Sequence, residues 1–297
     1  MKTFYPKDLS PVEVQTLLQG VVAPRPIAFA STVDKAGNVN LSPFSFFNMF
    51  SSNPPILIFS PSRRVRDNTT KHTLDNVLEV PEVVIHIVGF DRVEQLSLAS
   101  TEYPKGVNEF EKAGLTPVAS TLVAPPRVKE AAVAMECKVI EVKPLGTGGG
   151  AGNLVICEVI AMHFDDSIFD EKGSIDPVRL NPVARLGGSW YSRITSDSLF
   201  QIPKPLTTLG IGVDQIPMEI RSSPVLTGNN LGRLGNVEHF PTEADLEEFS
   251  KSEEVQDMRK RFKNDPESWM DHLHRWAKEE LEAGEVNKAW KILLQRQ

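Results

Sequence analysis

From residue 25 to 165 the apolar positions fall in short runs or alternate with polar ones, the spacing of strands rather than of helices. Ile27–Asp34 is an apolar run that ends at Lys35-Ala36-Gly37-Asn38, and a second extended run starts at Val39; the pair predicts a β-hairpin. Ile56–Ser60 and Val83–Val88 are bounded by Pro or Gly and have strand length. Between them Thr69–Glu79 reads as a short helix, capped by Asp67 or Asn68, with Leu74, Val77 and Leu78 on one face. Short helices are also expected within 92–101 and 107–113. Val133, Met135, Cys137 and Val139 alternate with Glu136 and Lys138 as in a half-buried strand, whereas Leu154–Phe164 is apolar on both faces except for Glu158 and His163. The string GTGGGAGN (Gly146–Asn153) joins these two strands. A phosphate-cradling loop would need a following helix, and a β run follows here, so a hairpin connection is expected.

Beyond residue 200 the period changes. Residues 201–241 are rich in Pro and Gly and read as an ordered connecting segment, while 242–297 reads as a helical extension. Thr242 and Asp245 have capping-box spacing, with Leu246, Phe249, Val255, Met258 and Phe262 as a helical stripe behind them. Asp265-Pro266 opens a second stripe, Trp269, Met270, Leu273, Trp276, Ala277 and Leu281, which Gly284 ends before a last short helix over 286–294. Such a stripe is expected to pack on the parent domain or on a second subunit.

Charge modifies this picture. The 32 Lys and Arg against 39 Asp and Glu give a net charge of -7, which argues against a protein that coats nucleic acid or anionic membrane. Residues 243–297 alone carry -4 of it, so the strand-rich body is nearly neutral. Ala36–Ser62 has no charged residue in 27 positions, but Pro43, Pro54, Pro55 and Pro61 interrupt it and exclude a spanning helix. Pro6, Asp8, Pro11 and Glu13 stand where a signal peptide has its apolar core, so a cytoplasmic protein is expected. Cys137 and Cys157 lack metal-ligand spacing and read as reduced core thiols; His272 and His274, two apart, do not share a helical face, and no metal is expected.

Pro24–Ser62, which contains the uncharged segment, holds six of the 15 Phe among Ser, Asn and Pro, and it runs directly into RRVRDNTTKHTLDN, with Arg63, Arg64, Arg66 and Lys71. A neutral, hydrogen-bonding half followed by a cationic half suits a ligand with a flat ring at one end and a phosphate at the other. The same residues also suit a core strand and a solvated loop, and chemistry alone leaves both open.

The ordered strings PRPIAFASTVDKAGNVNLSPFSFFN, SSNPPILIFSPS, KHTLDN, EYPKGVNEFEKAGLT, PPRVKEAAVAMECKV and NPVARLGGSWY resemble the flavin reductase-like family, the FMN-binding split barrels that include flavoredoxin. The resemblance covers about residues 10–200, and the tail matches nothing assignable. It implies a mainly β fold, a Greek-key split β-barrel over 1–200 with short peripheral helices and a C-terminal α-helical extension. It also implies a homodimer that binds FMN non-covalently. Carried over residue by residue, Phe44, Ser45, Phe46, Phe47 and Asn48 would run along the ring, and Ser60, Ser62, Arg63, Arg64, Lys71 and Thr73 would hold the phosphate and ribityl chain. Arg185 and Tyr191, with Gly187 and Gly188, match a motif near the ring or the partner subunit. Many relatives have Asp where His72 stands, and no role is assigned to it. The implied activity is electron transfer from NADH or NADPH through FMN to a flavin, a ferric complex or a redox protein. No catalytic acid or base is identified, since the cofactor carries the chemistry. Two alternatives stay open: a non-enzymatic FMN electron carrier reduced by a protein donor, and a split barrel with another ligand or none, its tail serving protein interaction.

Overall fold

The computed structural model describes residues 1–296 of the 297. Two compact units, Met1–Phe200 and Gln201–Gln297, divide the chain. The first opens with helix α1 (Pro11–Val21), followed by β1 (Ala28–Val33), β2 (Val39–Phe44), β3 (Phe47–Ser52), β4 (Pro55–Phe59), α2 (His72–Glu79) and β5 (Glu82–Ile87). It continues through α3 (Val93–Leu98), α4 (Glu109–Ala113), β6 (Pro117–Val118), β7 (Arg127–Val128), β8 (Val133–Pro144), β9 (Asn153–Phe164), α5 (Pro177–Leu180), β10 (Val183–Arg185) and β11 (Tyr191–Arg193).

Seven strands form one antiparallel sheet in the order β2-β1-β5-β8-β9-β4-β3. Its two edges, β2 and β3, are consecutive in the chain and joined only by Ser45 and Phe46. So short a link reaches about 10 Å at full extension, which forces the sheet to curl until its edges nearly meet. The result is a split barrel, mainly β with short helices outside it. Alternation along the strands fills two layers. Ala28, Ala30, Phe44, Phe59, Ile85, Cys137 and Val155 pack into one cluster, and Phe29 and Leu41 point the other way to meet Leu96, Phe110 and Val128.

Several expectations need correction. α2 begins at His72, not Thr69. The Asp67 carboxylate accepts the Thr69 backbone N–H at 3.0 Å and its hydroxyl at 2.6 Å, and Asn68 takes φ 57°, so residues 67–69 make a turn and Lys71 occupies the N-cap. Leu74 and Val77 are buried as expected, but Leu78 is exposed. Glu136, expected on the polar face of β8, is fully buried. Its carboxylate accepts the backbone N–H groups of Thr121 (2.8 Å) and Leu122 (2.6 Å) and pairs with His163 Nε2 at 2.7 Å, so it staples a loop to the sheet. α1 was not expected at all. It is built by a capping box, in which Glu13 N–H donates to Ser10 Oγ (3.3 Å) and Ser10 N–H to Glu13 Oε2 (2.8 Å), with Pro11 in the first turn.

The second unit is helical: α6 (Met218–Arg221), α7 (Gly228–Gly235), α8 (Glu243–Ser250), α9 (Glu253–Arg261), α10 (Pro266–Glu282) and α11 (Val286–Leu293). The Thr242 box and the Asp265 cap form as read from the sequence. The stripe over 246–262 divides into two helices at Lys251 and Ser252, because Ser252 caps α9 through Val255 N–H. Residues 201–241 do more than connect: Ile216, Ile220, Leu226 and Leu234 are buried in one cluster with Trp269, Leu273, Leu281 and Trp290. The tryptophan stripe therefore packs inside its own unit, and Trp290 Nε1 donates to Leu234 O at 3.0 Å.

Candidate functional site

Between α1, the β2–β3 link, the loop after β4 and the β8–β9 hairpin a cavity of about 710 Å³ opens, within the range of small-molecule sites. One part of its wall is cationic. The chain leaving β4 passes Ser62, Arg63, Arg64, Val65 and Arg66, turns at Asp67–Thr69 and reaches Lys71 at the start of α2; all of these except the turn line the cavity. Glu102 is the only carboxylate in the wall among the described residues. It ties Arg64 and Arg66, each at 2.9 Å. Arg64 also donates to Thr69 Oγ1 (2.9 Å) and to Thr70 O, and Arg63 donates through Nε to Asn68 Oδ1 (2.6 Å). The loop is thus held by hydrogen bonds within itself and by the tie of Arg64 and Arg66 to Glu102.

Lys71 differs from its neighbours. Among the described residues its ammonium has no ion pair within 4 Å and no hydrogen bond, and it is only partly exposed. Burial, then the Arg64 charge beside it, push it below its ordinary value, against a smaller opposing pull from Glu102. An unpartnered, partly desolvated cation in a cavity wall is a place prepared for an anion.

The Gly-rich string forms the expected hairpin, with Pro144 opposite Asn153, and it also supplies wall. Arg63 N–H donates to Ala151 O (2.8 Å) and Gly150 N–H to Arg63 O (3.0 Å), which clamps the hairpin onto the arginine loop. A Cβ on Gly149 would stand 2.9 Å from Val65 O and 3.1 Å from Arg64 O, both backbone atoms that cannot swing aside. Gly149→Ala should therefore force the two loops apart and cost about 1–2 kcal/mol, measured by urea unfolding; an unchanged midpoint would show that the contact is loose.

Of the thirteen residues expected at a site, five line this cavity: Phe46, Ser62, Arg63, Arg64 and Lys71. Ser45 stands just behind, its Oγ 3.4 Å from Arg25 Nε. The others do not face it. Phe44 and Phe47 pack in or against the barrel core, and Asn48 is exposed, its Oδ1 accepting from Met49 N–H. Ser60 is buried, accepting from Asn153 N–H (3.0 Å). The Thr73 hydroxyl is buried and donates to Asn40 Oδ1 (2.5 Å), where Glu109 also accepts from Asn40 (2.9 Å). Thr73 therefore braces α2 against β2 and offers no hydroxyl to the cavity. Arg185 stacks over Tyr191, with its guanidinium 4.5 Å from the ring centroid, on the β10–β11 hairpin outside the wall.

The sequence reading missed Arg25, Glu102, Gly149 and Gly150, and the face of α1 that brings Val14, Leu18 and Gln19 to the cavity. The Ser10/Glu13 box was a legible signal for α1; Arg25 had none, since its role depends on where α1 and the β10–β11 hairpin meet.

Residues 22–179, more than half the chain, match the family model described as flavin reductase like domain. An uncharacterized protein of Aquifex aeolicus is 39% identical over 188 residues, 63% of this chain and 93% of that protein. Nitrilotriacetate monooxygenase component B from Bacillus cereus superposes with a TM-score of 0.64 at 32% identity, covering 68% of this chain and 98% of its own. The 2-nitrobenzoate 2-nitroreductase of Pseudomonas fluorescens does so with 0.61 at 27% identity, covering 70% and 100%.

Proposed function

The chain belongs to the flavin reductase-like family, and on that premise we propose that it binds FMN in the cavity between α1 and the arginine loop and acts as an oxidoreductase. The observation that carries this reading is the division of one cavity wall into a cationic part with a free ammonium at Lys71 and an apolar part made by Phe46, Val14 and Leu18. FMN has the same division: a doubly ionisable phosphate at one end and a flat, largely uncharged ring at the other. Bound there, it would supply two-electron chemistry, accepting hydride from NADH or NADPH and passing electrons to a flavin, a ferric complex or a redox protein. Lys71 would hold the phosphate, helped by whatever donors Arg63 and Arg64 keep free. Ser62 would reach the ribityl chain. Phe46, on the two-residue link, would cover part of the ring and exclude water from it. The names of the two structural neighbours, a monooxygenase component and a nitroreductase, support an oxidoreductase.

Two further parts of the reading concern assembly and location. β3 is an edge strand whose Met49 and Phe50 are 61% and 64% exposed, a surface suited to a second copy of the chain, so a homodimer is expected in sedimentation. No described helix is long and apolar enough to cross a membrane. Cys137 and Cys157 are free and buried, and burial followed by the Glu136 charge pushes Cys137 up to about 12, which suits inert thiols in a reducing cytoplasm.

The purified protein should carry FMN or take it up, and mixing with excess NADH or NADPH should bleach the flavin band at about 450 nm. Bound FMN that neither nicotinamide bleaches, but a protein donor does, would make this an electron carrier. A protein that takes up no FMN would refute the cofactor reading itself.

A further inference from the structure

α1 forms much of the cavity rim without a core of its own. None of its residues is buried, yet Val14, Leu18 and, one step past its end, Val22 line the opening. Leu18 and Val22 are 55% and 59% exposed. A surface helix normally holds to its domain by burying its apolar stripe. This one presents that stripe to open space.

What fastens it lies at its C-terminal end. The Arg25 guanidinium, 7% exposed, donates to Gln19 O (2.8 Å), to Val22 O and to Leu186 O (2.9 Å), and its Nε lies 3.4 Å from Ser45 Oγ. No carboxylate pairs with it among the described residues. One side chain thus gathers the last turn of α1, the β10–β11 hairpin and the β2–β3 link at the edge of the cavity. The carbonyls at a helix C-terminus carry its negative end, which is why a cation suits the place. Beside it a Cβ on Gly187 would lie 3.1 Å from Gly20 Cα, so the two backbones touch and leave no room for slack. At the other side of the cavity the charges acting on Lys71 are Arg64 and Glu102, while the one acting on Arg25 is Arg185.

We infer that α1 is the second wall of the ring-binding half of the site, with Val14 and Leu18 facing the flat ring of the ligand, and that Arg25 is the positioning residue that hangs this wall. The inference rests on the flavin reading above. The ring supplies the apolar contact that α1 lacks, so ligand binding and ordering of α1 are one event. Riboflavin, which has the ring and no phosphate, separates this half of the site from the Lys71 half.

The test uses the full chain. Backbone amides of residues 14–22 are followed by hydrogen exchange with and without saturating riboflavin and FMN, and either ligand should slow them about tenfold or more. Arg25→Gln should weaken riboflavin and FMN by the same factor, about tenfold, and Arg25→Lys should recover part of the loss; a merely structural role would lower the thermal midpoint and leave this matched loss absent. Loss of FMN affinity alone in Arg25→Gln, or affinity for both unchanged, overturns the inference. So does wild-type exchange in 14–22 that stays constant while ligand binds, a measurement that decides the matter alone if Arg25→Gln does not fold. Wild-type protein that takes up neither flavin overturns the cofactor reading and this inference with it, whereas uptake with unchanged exchange overturns this inference only.

Discussion

Replacing Lys71 with methionine should raise the FMN dissociation constant about 10–100-fold while changing that of riboflavin less than about twofold. The expectation follows from what the ammonium lacks. Arg64 and Arg66 already have Glu102, and Arg63 has Asn68, so their guanidinium groups are partly spent on holding the loop. Lys71 is spent on nothing, and burial together with Arg64 pushes its protonated form toward instability. A phosphate arriving beside it removes that penalty and adds a charge-assisted hydrogen bond, typically about 1.5–3 kcal/mol. The same reasoning fixes the sign of the stability change in the ligand-free protein: removing a cation repelled by Arg64 leaves the thermal midpoint unchanged or raises it. Arg64→Met would be a poorer experiment, because it also frees Glu102 and the Thr69–Thr70 turn. Flavin titrations by fluorescence quenching measure both constants. Equal losses for riboflavin and FMN would mean that Lys71 does not meet the phosphate.

Local physics made much of this molecule legible, and tertiary accidents made the rest opaque. The β1–β2 hairpin, the long β8–β9 pair and the caps at Thr242 and Asp265 depend on neighbours a few residues apart, and each could be read from spacing. Glu136 could not: its alternation with Cys137 and Lys138 assigns it to solvent, and only the return of the 119–125 loop over that face supplies the N–H groups that let a carboxylate be buried. The bond of Thr73 was hidden for the same reason, since its hydroxyl is claimed by Asn40, 33 positions away in sequence. The cationic half of the candidate site was visible because Arg63, Arg64 and Lys71 lie on one short loop. Of the apolar half only Phe46 was visible, through the family resemblance; Val14 and Leu18 were not, because α1 is brought to the β2–β3 link by Arg25 reaching carbonyls on separate elements. Residues 201–241 were misjudged for a different cause. Their Pro and Gly content hides the periodicity of Ile216, Ile220, Leu226 and Leu234, which become core only against the α10–α11 pair.

Acid should destabilise the barrel well before most carboxylates titrate, and His86 should account for about 3 kcal/mol of the loss between pH 7 and pH 4. His86, on β5, is fully buried; its Nδ1 lies 2.8 Å from Phe29 O, and its Nε2 accepts the Val128 backbone N–H at 2.9 Å. That pair of bonds requires a neutral ring with the proton on Nδ1, since an imidazolium would point a second N–H at the Val128 donor. Burial accordingly pushes its pKa from 6.5 to about 4, with a smaller opposing effect from the Phe29 carbonyl. Below 6.5 the unfolded chain takes up a proton that the folded one refuses until about 4, so folding stability is complete above the first value and falls as the pH approaches the second. Glutamine can make both bonds, donating to Phe29 O and accepting from Val128 N–H, without titrating. His86→Gln should therefore cost little at pH 7 and flatten the stability profile between pH 6.5 and 4, measured by urea unfolding at closely spaced pH values. Parallel losses in wild type and variant would assign the acid sensitivity to another group.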